Sequence, residues 1–253
     1  MQLTPEMFLI VCPMLFLAGL VDSIGGGGGL ISLPAYLFAG LPAHMAIATN
    51  KLSSACGTSL ATGRFIRKGL VNLRLAAPSV AAAVLGSFLG AKLSLAISET
   101  VMKYILFAVL PVAAFFVLNR HLFQDNGRGA ALADRRTLTV CVLSAFVIGM
   151  YDGFYGPGTG TFLIIAFTVF ARMAVGSANA QAKVINLTSN ITSLTVFLAE
   201  GQVLIPLGLA AAVCNMAGNW IGSGLAISKG TKIVRPVILL VLVLLLAKIL
   251  FNF

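Results

Sequence analysis

Apolar residues run in long blocks broken by short polar or glycine-rich connectors, near residues 5–24, 29–41, 44–64, 74–97, 101–119, 137–152, 158–171, 176–199, 203–228 and 233–252. Most blocks suit a helix that crosses a hydrocarbon layer of about 30 Å, which takes roughly 20 residues. The second and seventh hold only 13 and 14 residues, enough for about 20 Å of helix. They are predicted to be half-helices or arms of re-entrant hairpins. The one extended polar stretch, NRHLFQDNGRGAALADRR, follows the fifth block and reads as a connector outside the bilayer. The pattern predicts an all-α polytopic membrane protein of about 8–10 transmembrane or half-membrane helices. It is divided into a first membrane repeat at 1–119, a cytoplasmic connector at 120–136 and a second membrane repeat at 137–253.

Composition sharpens this reading. Of 253 residues, 59% are hydrophobic and 9% charged, with a mean hydropathy of +1.02, whereas soluble domains carry about 25% charged residues. A water-soluble domain is excluded, and the lipid bilayer is the expected surrounding. The net charge of +10 arises from 17 Lys and Arg against 7 Asp and Glu. The basic residues sit between apolar blocks, as membrane orientation requires, so no nucleic-acid partner is expected. The amino-terminal MQLTPEMFLIVC lacks the basic region of a cleavable signal and is expected to remain in place. Cys12, Cys56, Cys141 and Cys214 are widely spaced in apolar sequence, which fits packing rather than metal ligation. His44 and His121 lie near loops, Trp220 stands alone, and no hydrolase, zinc-protease or Walker motif is present. The expectation is a protein that is not an enzyme and needs no cofactor or metal.

The halves resemble each other. An offset of 130 places Gly19, Asp22, Gly26 and Gly28 on Gly149, Asp152, Gly156 and Gly158. An offset of 132 places Lys51, Phe65, Gly69, Val71, Gly86 and Gly90 on Lys183, Phe197, Gly201, Val203, Gly218 and Gly222. The basic loop residues Arg64, Arg67, Lys68 and Arg74 fall on Val196, Ala199, Glu200 and Pro206, so equivalent loops are expected to face opposite sides. An odd count of five segments per copy inverts the second repeat, with both termini outside. Twelve basic residues then lie in cytoplasmic loops (Arg64, Arg67, Lys68, Arg74, Arg120, Arg128, Arg135, Arg136, Arg172, Lys229, Lys232 and Arg235), and Lys92 and Lys103 lie in outer loops. Inverted repeats built around interrupted helices are an architecture of secondary transporters, with the substrate near the midplane.

Lys248 is near the end of its block and can snorkel, but Lys51 and Lys183 lie deep within theirs. Either each ammonium pairs internally and locks the bundle, or the two attract an anion in a shared central cavity. Lys51, Ser54 and Thr58 share one helical face, as do Asn179, Lys183, Asn186 and Asn190. Hydroxyls there can simply tie helices together. Ammonium and amide donors together suit an oxyanion, and Asn50, Asn186 and Asn190 are candidate contacts. The runs DSIGGGGG and DGFYGPGTG precede the short blocks. Gly26, Gly27, Gly28, Gly156 and Gly158 are candidates to expose helix N-terminal N–H groups to an anion. Asp22 and Asp152, at matching positions, either cap or pair, or relay a coupling proton. GSFLG and GNWIG either pack the halves together or join two protomers into a homodimer.

DSIGGGGGLISLP followed by ATNKLSSACGT, and YDGFYGPGTGTF followed by AKVINLTSN, resemble the sulfite exporter TauE/SafE family, as does the repeated F-x-x-x-G-x-V at Phe65 and Phe197. The likeness covers most of the chain. It implies a polytopic permease of the bacterial-type cytoplasmic (inner) membrane. The cargo it implies is a small sulfur-containing or organic anion such as sulfite, a sulfonate or sulfoacetate, moved in many members by export.

Overall fold

The computed structural model describes residues 3–98, 134–230, 232–234, 236–237, 240 and 243. The expected segment at 101–119, most of the connector and of the last segment, and Lys103, Arg120, His121, Arg128, Arg235 and Lys248 lie outside the described residues.

Among the described residues the secondary structure is helical. The elements are α1 (Pro5–Gly25), α2 (Gly29–Phe38), α3 (Ala43–Arg67) and α4 (Leu73–Ala96), then α5 (Arg135–Phe154), α6 (Thr159–Val169), α7 (Val175–Ala199) and α8 (Ile205–Lys229). Four of them, α1, α4, α5 and α8, are long and apolar enough to cross a membrane. They carry exposed Leu9, Met14, Leu85, Phe88, Leu143, Val147, Leu209 and Val213, side chains that only an apolar surrounding would solvate favourably.

The short apolar blocks form short helices. With 10 and 11 residues, α2 and α6 are about 15 Å long, half a hydrocarbon core. Each follows a glycine break: α1 stops at Gly26, φ +82°, whose N–H donates to Asp22 O at 2.8 Å, and α6 starts at Gly158, φ +86°. Long helices with apolar faces surround α3 and α7, which have the length of spans but carry buried polar rows. Asn72 caps α4 by accepting from Arg74 N at 3.0 Å, and Asp134 caps α5 by accepting from Thr137 N at 2.8 Å.

The two halves are interleaved. Helix α4 lies along α5, where Gly86, Gly90 and Gly153 abut the backbone of Phe146, Met150 and Ser87. Reciprocally, α1 lies along α8, where Gly19, Gly218 and Gly222 abut Asn215, Phe16 and Leu20. Any side chain at these glycines would push the backbones apart, so the small residues set the separation of the helices. GSFLG and GNWIG thus pack one half on the other within the chain. At the centre, α3 packs on α7. Asn72 N, in the turn after α3, donates to Gln181 near the start of α7, and Leu204 N, after α7, donates to Thr49 near the start of α3. Helices α3 and α7 therefore run in opposite directions.

Candidate functional site

The two glycine breaks meet. A Cβ on Gly160 would lie 2.5 Å from Gly26 Cα, and one on Gly29 would lie 3.0 Å from Pro157 Cα. Thr161 Oγ1 donates to Gly25 O at 2.6 Å, and Asn179 Nδ2 donates to Ser23 O and Ile24 O at 3.2 and 3.1 Å. The carbonyls freed where α1 breaks off thus find side-chain donors from the other half, as buried backbone groups must.

Beside this crossing lies a cleft of about 400 Å³, its mouth included, lined by the breaks and by polar side chains of α3 and α7. Its innermost part admits water, and a larger guest requires the lining to move. Of the residues expected in a site, Asp22, Gly26, Gly28, Asn50, Lys51, Ser54, Asp152, Gly156, Asn186 and Asn190 line it. Gly27, Thr58, Gly158 and Lys183 are not among the lining residues. The lysines therefore do not share the cleft, and Lys183 stands behind Asp22.

Each buried lysine pairs with the aspartate of the other half. Lys51 Nζ is 2.8 Å from Asp152 Oδ2, and Lys183 Nζ is 2.7 Å from Asp22 Oδ2. Lys51 also donates to Asn190 Oδ1 at 3.2 Å, and Asn190 Nδ2 donates to Asn186 Oδ1 at 3.2 Å. Ammonium nitrogen has three donors; two are bonded among the described residues, leaving one for a guest. Asn186 also lines the cleft, and its Nδ2 donates to no side chain or backbone group among the described residues. Gly156 is required here, since a Cβ would come within 2.9 Å of Asp152 Oδ1 and 3.1 Å of Lys51 Nζ.

Gly29 and Gly160, from the two glycine-rich runs, also line the cleft, as do Ser32, Asn215 and Thr159, which were not singled out from sequence. Ser32 Oγ is buried without a partner among the described residues. Nothing in the apolar run around Ser32 marks it. Asn215 carried a readable signal: with Asn219, four residues on, it forms a polar pair in an apolar helix, and Asn219 Nδ2 donates to Asn215 Oδ1 at 2.9 Å.

Fold and site together define a multi-pass, all-helical membrane protein with a charged polar cleft where two broken helices cross. Among the described residues no group of three or more His, Cys, Asp or Glu is placed to hold a metal ion. The chain belongs to the family described as sulfite exporter TauE/SafE, which matches residues 11–249. It is 37% identical over 236 residues to the probable membrane transporter protein ORF9 of a Sinorhizobium species, covering 93% of this chain and 89% of that one. It is 34% identical over 252 residues to the probable membrane transporter protein YfcA of Escherichia coli, covering 99% and 92%. A probable membrane transporter protein of Haemophilus influenzae is 35% identical over 238 residues, covering 94% and 92%. No solved structure matches the chain.

Proposed function

We propose that the protein is a secondary transporter of small sulfur-containing or organic anions such as sulfite, sulfonates or sulfoacetate, moved by alternating access, with export as the direction the family description favours. The observation that carries this reading is the cleft itself: a buried ammonium, Lys51, faces polar space at the crossing of two broken helices. An intramembrane cation facing a cavity is the arrangement expected of a substrate path. The N-terminal turns of α2 and α6 begin beside the cleft and direct helix-dipole positive ends toward it. Asn50, Ser54, Asn186 and Asn190 complete a set of neutral donors that suits dispersed oxyanion charge.

The opposite course of α3 and α7 and the reciprocal α1–α8 and α4–α5 packing support two inverted-topology repeats, divided at the 120–136 connector. Such repeats rock around a fixed midplane site. Both termini are then outside and the membrane is the bacterial-type inner membrane. Homodimers remain compatible with this arrangement, although both glycine pairs are used within the chain.

A second reading takes the lysines as purely structural, and the two Lys–Asp pairs favour it. The readings separate in liposomes carrying purified protein and challenged with sulfite, sulfonates and carboxylates. Transport predicts saturable flux of at least one anion, with accumulation against its gradient only when a proton or sodium gradient is imposed. Flux without such accumulation indicates a passive channel, and no flux of any anion overturns the proposal in favour of a binding or assembly protein.

A further inference from the structure

The two Lys–Asp pairs occupy matching positions but are held very differently. Asp152 accepts from Lys51 Nζ at 2.8 Å, from Thr159 Oγ1 at 2.8 Å and from Ser189 Oγ. Its partner Lys51 is also tied to Asn190. The Asp22 carboxylate, by contrast, accepts from Lys183 Nζ alone among the described residues, and Lys183 Nζ donates to Asp22 alone. The Asp22 side chain is 12% exposed, against 3% for Asp152. One pair is the hub of a hydrogen-bonded network, and the other is bare.

The sequence dictates this asymmetry. Under the repeat offsets, Thr159 falls on Gly29, Ser189 on Gly57 and Asn190 on Thr58. Both hydroxyls that hold Asp152 are thus glycines in the first half. A side chain is tight at one glycine and blocked at the other: a Cβ at Gly29 meets Pro157 Cα at 3.0 Å, and one at Gly57 collides with Asn215 Oδ1 and lies 2.6 Å from Asn219 Nδ2. Thr58 is buried with its hydroxyl unpartnered among the described residues. The bare pair is built into the packing of the crossing.

The charged groups around Asp22 are few. It faces Lys183 from α7 directly, and Lys51 from α3 and Asp152 from α5 across the cleft. On the cleft, α2, α6 and α8 present glycine backbone, Ser32, Thr159 and Asn215, none of which titrates near neutrality. With both pairs intact these four charges sum to zero. A proton on Asp22 leaves Lys183 an uncompensated buried cation, strongly unfavourable unless an anion takes the place of the lost charge. Asp152 is less suited to this, because releasing it breaks three side-chain contacts, to Lys51, Thr159 and Ser189, where releasing Asp22 breaks one.

Resting on the anion-transport reading above, we infer that Asp22, released from Lys183 by protonation, is the coupling-proton site, and that this proton and the anion occupy the protein together. The linkage is reciprocal: a proton on Asp22 tightens anion binding, and a bound anion tightens proton binding by the same factor. The carrier therefore moves anion in the direction of proton flow, and export requires the anion gradient to exceed the proton gradient.

The test measures proton uptake by purified protein in weakly buffered detergent solution as an anion binds, read with a pH-sensitive dye. Isethionate is a suitable probe among sulfonates, because it stays ionised across the working range and releases or takes up no proton itself. The wild type is expected to take up a proton as it binds, with affinity falling about 5- to 150-fold between the proton-loaded and proton-free protein as pH is raised. Asp22→Asn, a mimic of the protonated state, is expected to bind with no proton uptake and little pH dependence. If Asp22→Asn does not fold, Asp22→Asn with Lys183→Met removes both charges and is expected to abolish uptake in the same way. Binding by the wild type without proton uptake overturns the inference and leaves the transport reading standing. Uptake that survives in either Asp22 variant and disappears in Asp152→Asn overturns it also. If none of sulfite, isethionate and acetate binds at any pH, both fall together.

Discussion

Replacing Gly160 with Ala places a methyl group where the two broken helices cross. The new Cβ would lie 2.5 Å from Gly26 Cα, 2.8 Å from Gly26 O and 3.1 Å from Gly26 C. Non-bonded carbons prefer about 3.5–4.0 Å, so the crossing must open by about 1 Å. Gly26 cannot yield easily, because its N–H is held by Asp22 O at 2.8 Å and the preceding carbonyl by Thr161 at 2.6 Å. All the atoms struck are backbone. Overpacking of this kind costs about 1–3 kcal/mol. Taking about 2–4 °C per kcal/mol for a chain of this size, thermal unfolding in detergent should fall by roughly 2–12 °C. Gly63→Ala is the control: this residue lies inside α3 with open space around it, so the change should be neutral or stabilising by up to about 1 kcal/mol. Melting followed by the loss of monodisperse protein on size exclusion distinguishes the two. A Gly160→Ala variant that melts with or above the wild type would refute the close crossing of the glycine breaks.

Three further outcomes follow from the contacts. Asp152→Asn leaves Lys51 buried and unpaired and should destabilise by about 3–5 kcal/mol; adding Lys51→Met should recover much of this, as a double-mutant cycle of melting temperatures will show. Gly57→Ala should break the Asn215–Asn219 contact at a cost of about 1–3 kcal/mol, read by the same melt. Asn72→Ala removes the α4 cap and should cost about 1 kcal/mol, with amide exchange accelerating first in the opening turn of α4.

Much of this architecture is legible in the chain because two physical signals are strong. Block length separates α2 and α6 from the full spans, since apolar blocks of 13 and 14 residues are too short to cross a bilayer. Glycine runs mark where the helices break, and the matched positions of Asp22 with Asp152 and Lys51 with Lys183 mark the charged centre. Partner choice was not legible. Periodicity places a residue on a helix face but does not say which helix that face meets, so pairing of each lysine across the halves could not be told from pairing within one half. Face periodicity groups Asn179 with Lys183 but does not show that its amide bonds the carbonyls of Ser23 and Ile24. Ser32 was invisible because a lone hydroxyl in an apolar run is ordinary in membrane helices. The asymmetry between the aspartates was present in the repeat alignment, at Gly29 and Gly57, but acquires meaning only once Thr159 and Ser189 are seen on Asp152.

The most direct test of a cleft built around Lys51 is sulfite flux into liposomes carrying equal amounts of folded wild type or of Lys51→Met with Asp152→Asn, the charge-balanced pair. Saturable flux in the wild type that disappears in the folded double variant is the predicted result, and flux at the wild-type rate through a protein lacking that ammonium would contradict it.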